Sequence, residues 1–247
     1  MSETAFAVLT RDPAPAYDAA LAPLGLEVVA MPVTKHAPAA DPHALGRALE
    51  DGRYAAVVVA SPRAAHELAR AAAARELPEV WAVGPATRRA LEIARIPARL
   101  PDHVRDGAEL ARRLAAERPR RGRRVLVPRA EEGRTEGLAI LRAAGADVVD
   151  VIAYRTVAVG AGDPDVARGA ELLRAGAAAV CAVFAPSQVA ALAAIVGPLA
   201  GLSARFCAIG ETTAEAVRAA GVADVAVAAE PTPEGMAQAV RSVYPGS

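Results

Sequence analysis

Aromatic residues make up only 3% of this 247-residue chain, which holds just two cysteines and four histidines. With so few rings, the cores have to be filled by Ala, Val and Leu from a hydrophobic fraction of 53%, a composition suited to helix-on-sheet packing. Cys181 and Cys207 both sit inside apolar runs that read as strands. That excludes a disulfide framework and points to reduced core thiols. His36, His43, His66 and His103 show none of the spacings of a zinc or iron site. Charge of neither sign is in excess, since Lys plus Arg and Asp plus Glu each number 28, which argues against an extended nucleic-acid surface held by bulk charge. An anionic ligand has to be met locally. The opening MSETAFAVLTRD lacks a basic segment followed by an apolar one, and Asp, Arg or Gly interrupts every apolar run before membrane length. A soluble, cytoplasmic protein is expected, with no metal, no nucleic-acid partner and no membrane partner.

What the chain does have is an internal duplication. AAVCAVFAPSQVAALA echoes YAAVVVASPRAAHELA, FCAIGETTAEAVRAAGVADV echoes WAVGPATRRALEIARIPARL, and EPTPEGMAQAV matches the segment that opens HVRDGAELARRL. Gly84 and Thr87 stand in one copy where Gly210 and Thr213 stand in the other. A third correspondence joins LTRDPAPAYDAALAPLGLEVVAMPV near the start to VPRAEEGRTEGLAILRAAGADVVDVIAY in the middle. The copies are therefore not halves placed end to end. Two lobes of about 120 residues are implied, each long enough to bury a core.

The runs FAVLT, AAVVVA, RVLVP, AAVCAVF and FCAIG are short and apolar throughout, the pattern of parallel strands covered on both faces. Between them lie helical patterns such as PRAAHELARAAAARE and TTAEAVRAAG, with Gly or Pro at their ends. Strand and helix alternate, which predicts two doubly wound α/β lobes of about five parallel strands each. The order of the repeats places the first lobe at residues 1–35 plus 156–247, with the second, 38–153, inserted in it. The crossings MPVTKHAP and VIAYRTV are extended and β-prone, so they read as a paired two-strand hinge near 31–37 and 151–157, with a cleft between the lobes. A monomer is the default, because no long apolar helix face is left spare.

Open parallel sheets bind ligands beyond the carboxyl ends of their strands. That edge collects Thr10 and Arg11, Ser61 to Arg63, Gly84 to Thr87, Pro128, Arg129 and Arg134, Pro186 to Gln188, and Gly210 to Thr213. Most of these loops join a small residue to a hydroxyl or Pro suited to a first helical turn. One such residue alone is an ordinary cap. Several facing one cleft would offer free amides and helix dipoles to carboxylates or phosphates. The basic run RPRRGRR, Arg118 to Arg124, precedes a strand and reads as a solvated loop on the opposite rim. GPAT and GETT lack the spacing of a phosphate loop, so nucleotide chemistry is excluded.

Taken together, LTR, PVT, AYRT, VLVPRAEEGR with Leu138, FAPS, and AIGETTAEAVRAAG followed by EPTPEGMAQAV resemble the uroporphyrinogen-III synthase family over nearly the whole chain. Arg63 and Ala185 depart from the pattern, standing where that family carries an Asn and a hydroxyl residue. The resemblance implies a lyase of tetrapyrrole biosynthesis that converts hydroxymethylbilane to uroporphyrinogen III through a spiro intermediate, inverting ring D and needing no cofactor. It also implies a substrate with eight carboxylates, while a transient contact with the preceding pathway enzyme is a question the sequence leaves open. Tyr154 is the expected proton donor. Thr213, Thr87, Thr212, Ser61 and Ser187, with Thr10, Gly84 and Gly210, are the expected substrate contacts. Arg11, Arg129 and Arg134 would supply charge at the rim, although Arg11 and Arg129 read equally well as structural partners of Asp or Glu. The alternative is a non-catalytic two-lobed sensor or regulatory module of the same fold.

Overall fold

The computed structural model describes residues 5–73, 75–104, 106–117 and 122–244. Strands and helices alternate along the chain in the order β1 (Ala5–Leu9), α1 (Pro15–Leu21), β2 (Leu26–Ala30), β3 (Thr34–Pro38), α2 (Ala44–Asp51), β4 (Ala56–Val59) and α3 (Pro62–Ala72). There follow β5 (Glu79–Ala82), α4 (Pro85–Ile93), β6 (Ala98–Arg99), α5 (Gly107–Glu117), β7 (Arg124–Ala130), α6 (Glu136–Ala143) and β8 (Asp147–Ala158). The remainder is α7 (Pro164–Arg174), β9 (Ala178–Val183), α8 (Pro186–Val196), β10 (Arg205–Ala208), α9 (Glu211–Ala219), β11 (Val225–Val227) and α10 (Pro233–Val243). Among the described residues no helix is long and apolar enough to cross a membrane.

The chain divides into two compact units, Met1–Lys35 with Val157–Ser247, and His36–Thr156. The first holds a five-stranded sheet in the order β11-β10-β9-β1-β2, and the second a six-stranded sheet in the order β3-β8-β7-β4-β5-β6. With β3 set aside, the second order read backwards, β6-β5-β4-β7-β8, reproduces the first strand for strand. The duplication in the sequence is thus a duplication of topology. The second sheet has one strand more than five because β3 joins it beside β8, so the extended segments at the two crossings belong to one sheet. The strand β8 is also twelve residues long, serving as a core strand at its start and as a crossing at its end.

In the five-stranded unit the strands alternate between two apolar layers, with one irregularity at the start of β9. Val8, Cys181, Val183 and Phe206 pack with α7, α8 and α9 residues such as Val166, Leu192 and Val217. Their neighbours Ala7, Leu9, Val180, Ala182 and Cys207 pack with Tyr17 and Leu21 of α1 and Met236 and Val240 of α10. The six-stranded unit repeats this arrangement. Val57, Val59, Val80 and Leu126 meet Leu45, Leu68 and Leu91 of α2, α3 and α4, while Val58, Trp81, Val125 and Val127 meet Leu110, Leu114, Leu138 and Leu141 of α5 and α6. Truncating a fully buried leucine such as Leu126 to Ala would cost about 2–5 kcal/mol, because the packed layers cannot collapse onto the hole.

Proline at the first turn and a hydroxyl or carboxylate before it start several of these helices. Ser61 accepts from the Ala64 amide, Asp163 from that of Asp165 and Thr232 from that of Gly235, each cap being worth about 1 kcal/mol. Gly235 is required there for space, since a Cβ would lie 2.2 Å from the Glu230 carbonyl oxygen. Glu67 of α3 is buried between Arg63 and Arg70, at 2.6 and 2.9 Å. Arg63 is therefore a partner of Glu67. Of the basic run, residues 118–121 lie outside those described, while Arg124 opens β7, pairs with Asp147 at 3.4 Å and stacks over Tyr54.

Candidate functional site

Within the six-stranded unit, the carboxyl ends of β4, β5 and β7 and the first turns of α5 and α6 surround a cavity of about 320 Å³. Its floor is apolar, from Val58, Val83, Val127, Leu138 and Leu141, and its walls carry Ser61, Tyr154, Asp106, Arg134 and Glu136. Ser61 and Tyr154, ninety-three positions apart, are joined here by a 3.0 Å hydrogen bond between their hydroxyls. A larger cavity of about 850 Å³ in the same unit lies at the opposite edge, before β5 and β6, away from all of the loops just named.

The position of Tyr154 depends on a flaw in the ladder. β7 and β8 pair in register from Arg124 opposite Asp147 to Arg129 opposite Ile152, and then the register slips so that Ala130 faces Tyr154 and Ala153 is passed over. Bulges of this kind re-aim a side chain. Strict alternation would put Tyr154 on the other face from Val151 and Ala153, yet all three belong to the same apolar cluster. The phenol ring is buried, its edge meets the ring of His36 at 5.2 Å between centroids, and its carbonyl accepts the Glu131 amide. The hydroxyl points to Ser61, whose oxygen also caps α3 by accepting the Ala64 amide at 3.1 Å.

The two arginines of this edge behave differently. Arg129 clamps Asp150 with two bonds of 2.7 and 3.0 Å and donates its remaining nitrogen to the carbonyls of Ala130 and Glu131. Four hydrogen bonds inside the unit hold its guanidinium, so the part Arg129 plays here is that of a structural clamp on the wall of the cavity. Arg134 is exposed and makes no ion pair among the described residues. Asp106, which the sequence reading passed over, caps α5 through the Glu109 amide at 2.8 Å. Hydrogen bonds from the Glu109 and Ala108 amides, with the charges of Arg112 and Arg134, hold its carboxyl below the usual carboxylate range. The residues before α4 and α6, Gly84 and Thr135, make no side-chain cap bond, and in α6 the Leu138 amide turns to the Thr135 carbonyl at 3.0 Å. Thr87, in the first turn of α4, is buried but makes no side-chain hydrogen bond among the described residues. Gly84 before it has φ of 80°, a conformation that favours glycine.

In the five-stranded unit the corresponding edge is built from other materials. Thr10 is fully buried, with its hydroxyl 2.8 Å from Gln188 Oε1 and 3.1 Å from the Ala182 carbonyl. In this arrangement Thr10 is a brace between β1 and α8. Gln188, in the first turn of α8, reaches back to the residues before the helix, its Oε1 accepting the amides of Phe184 and Ala185. The Arg11 guanidinium lies over the rings of Tyr17 and Phe184, at 4.5 and 5.0 Å, and its Nε is buried without a partner. It makes no ion pair among the described residues, so it is not the carboxylate partner that the sequence also allowed. Ser187 and Thr212 are exposed in the first turns of α8 and α9, and Thr213 is buried in the same turn as Thr212. α9 begins at Gly210 without a side-chain cap, as α4 does at Gly84. Gly210 itself is extended, with φ of −178°, a conformation open to any residue.

These edges define an α/β protein of duplicated parallel sheets whose uncapped helix starts and hydroxyl loops suit a carboxylate-bearing ligand. A family model described as uroporphyrinogen-III synthase HemD matches residues 15–238, and the chain belongs to the uroporphyrinogen-III synthase family, whose members are lyases acting on a small tetrapyrrole substrate. Solved structures agree in fold. A mutant uroporphyrinogen III synthase from the extremely thermophilic bacterium Thermus thermophilus is 22% identical, with a TM-score of 0.59 over 97% of this chain and 98% of that one. The uroporphyrinogen-III synthetase of Helicobacter pylori is 15% identical, with a TM-score of 0.61 over 96% and 99%. No curated protein sequence matches the chain.

Proposed function

We propose that the protein takes hydroxymethylbilane and closes it to uroporphyrinogen III, with Tyr154 as the acid that starts the reaction. The observation that carries the assignment of Tyr154 is a phenol held by a hydrogen bond on the wall of an apolar-floored cavity. Tyr154 donates its proton to the departing hydroxyl, the carbon–oxygen bond breaks with its electron pair on oxygen, and water leaves an electrophilic azafulvene. The substituted α-carbon of ring D attacks it to form the spiro intermediate. That fragments and recloses through the unsubstituted carbon, and the proton this carbon loses as the ring regains aromaticity returns to the phenolate. Electron-rich pyrroles drive each step, so the chemistry calls for no cofactor.

The harder task is steering, since unguided closure gives the unrearranged isomer. A tenfold preference needs only about 1.4 kcal/mol of differential transition-state binding. Candidate contacts for carboxylate arms are, in the six-stranded unit, Arg134 and Thr87 and, in the five-stranded unit, Arg11, Ser187, Thr212 and Thr213. Such positioning suffices without a strong base. Work in the cytoplasm, beside the enzyme that releases this unstable substrate, fits the same reading. The test is to supply enzymatically generated hydroxymethylbilane and to measure both the rate and the ratio of type III to type I product. Tyr154→Phe should lower the rate, and Thr213→Ala should shift the isomer ratio. If neither variant changes either quantity, the site assignment fails.

A further inference from the structure

Ser61 has two duties in the structure, and only one of them is capping a helix. Its oxygen accepts the Ala64 amide at 3.1 Å, which fixes it at the start of α3, and lies 3.0 Å from the Tyr154 hydroxyl. An oxygen that has accepted one amide still holds a second lone pair and its own hydrogen. It can therefore donate that hydrogen to the phenol oxygen, which leaves the phenol's own proton free to go to a ligand, and keep donating to the phenolate afterwards.

We propose that Ser61 is the positioning residue for Tyr154: by donating its own O–H to the phenol oxygen it leaves the phenol proton free for the departing hydroxyl, and the same bond stabilises the phenolate left when that proton has moved. The proposal rests on Tyr154 being the acid. Atoms balance within it, since the proton goes from Tyr154 to the leaving oxygen while Ser61 keeps its own and goes on donating it to the same oxygen. Two features make this geometry firm. Both residues belong to one compact unit, and Tyr154 is buried with its ring edge against His36. The phenolate would also face the amide end of α3, where the backbone dipoles favour negative charge. The donation strengthens as charge develops, because hydrogen bonds to ionised groups exceed neutral ones. Ser61 should therefore act on turnover more than on substrate binding.

The test separates capping from donation. Ser61→Thr keeps both and should retain activity within about threefold, whereas Ser61→Ala loses both and should lower kcat by about tenfold with KM nearly unchanged. Ser61→Asp keeps a good cap, and so the melting temperature, but has no hydrogen to donate and should lose at least as much kcat as Ser61→Ala. In a Tyr154→Phe background, Ser61→Ala should cost nothing further in kcat. If Ser61→Ala multiplies the loss of Tyr154→Phe, or Ser61→Asp turns over like the parent, Ser61 does not act through Tyr154 and the proposal falls while the acid assignment stands. If Tyr154→Phe alone leaves kcat unchanged, the acid assignment falls and this proposal goes with it.

Discussion

The two units share one topology and part company at their binding edges. At the end of β1, Arg11 rests on aromatic rings without an ion pair among the described residues, while its counterpart at the end of β7, Arg129, is locked to Asp150. The first turn of α3 is capped by Ser61, which also reaches the phenol of Tyr154, whereas in α8 the cap is Gln188 braced by Thr10. Gly84 needs a positive φ and Gly210 does not. Duplication preserves what the layers require, strand order and apolar alternation. The loops are free to diverge, and here the six-stranded unit joins Ser61 to Tyr154 while the five-stranded unit stacks Arg11 over two aromatic rings.

The sharpest way to break this division is Tyr154→Phe, expected to lower kcat roughly ten- to a thousandfold while unfolding stays near that of the parent. Loss comparable to a destabilised variant would move Tyr154 from chemistry to packing. Next, Arg129→Ala should destabilise the protein by about 2 kcal/mol in urea unfolding, because it strands a half-buried Asp150. Arg11→Ala should leave stability within about 1 kcal/mol and raise KM instead. Equal effects on both quantities would erase the contrast between the two arginines. Gly84→Ala should cost about 1–2 kcal/mol for its backbone conformation alone, since nothing stands within 4 Å of the added Cβ, and Gly210→Ala close to none.

A last contrast concerns pH and the five-stranded unit, which holds both thiols. Burial pushes Cys207 up to about 12 from 9.0, and Cys181 up as well. Each stays protonated when folded while the unfolded chain ionises, so their contribution is complete below about pH 9 and is lost as pH rises from there toward 12. About 1 kcal/mol should be gone by pH 10 for each thiol, measured by unfolding at pH 8 and pH 10. Cys→Ala variants should flatten the dependence.

Much of this architecture was legible in the chain, because periodicity and punctuation are local. AAVVVA and AAVCAVF announce doubly covered strands, and the echo of GETT in GPAT places two equivalent helix starts on one kind of edge. The roles of individual side chains were less legible. Thr10 and Ser61 look alike in the sequence, a hydroxyl at a strand end. One is sealed by Gln188 and the other opens onto a cavity. Arg11 and Arg129 occupy matching places, and only the presence of Asp150 on one side and Tyr17 on the other separates them.

Composition and repeat order thus determined by themselves that this chain forms two parallel α/β sheets of the same topology, one inserted in the other in sequence, with small-residue loops at their carboxyl ends. The tertiary structure alone decided that Ser61 meets Tyr154, that β8 slips by one residue to bring it there, and that Thr10 and Arg129 are occupied. The reason is physical: strand and helix follow from patterns within a dozen neighbours, whereas a hydrogen bond across ninety-three positions follows from the register of whole sheets, which no single stretch of sequence carries.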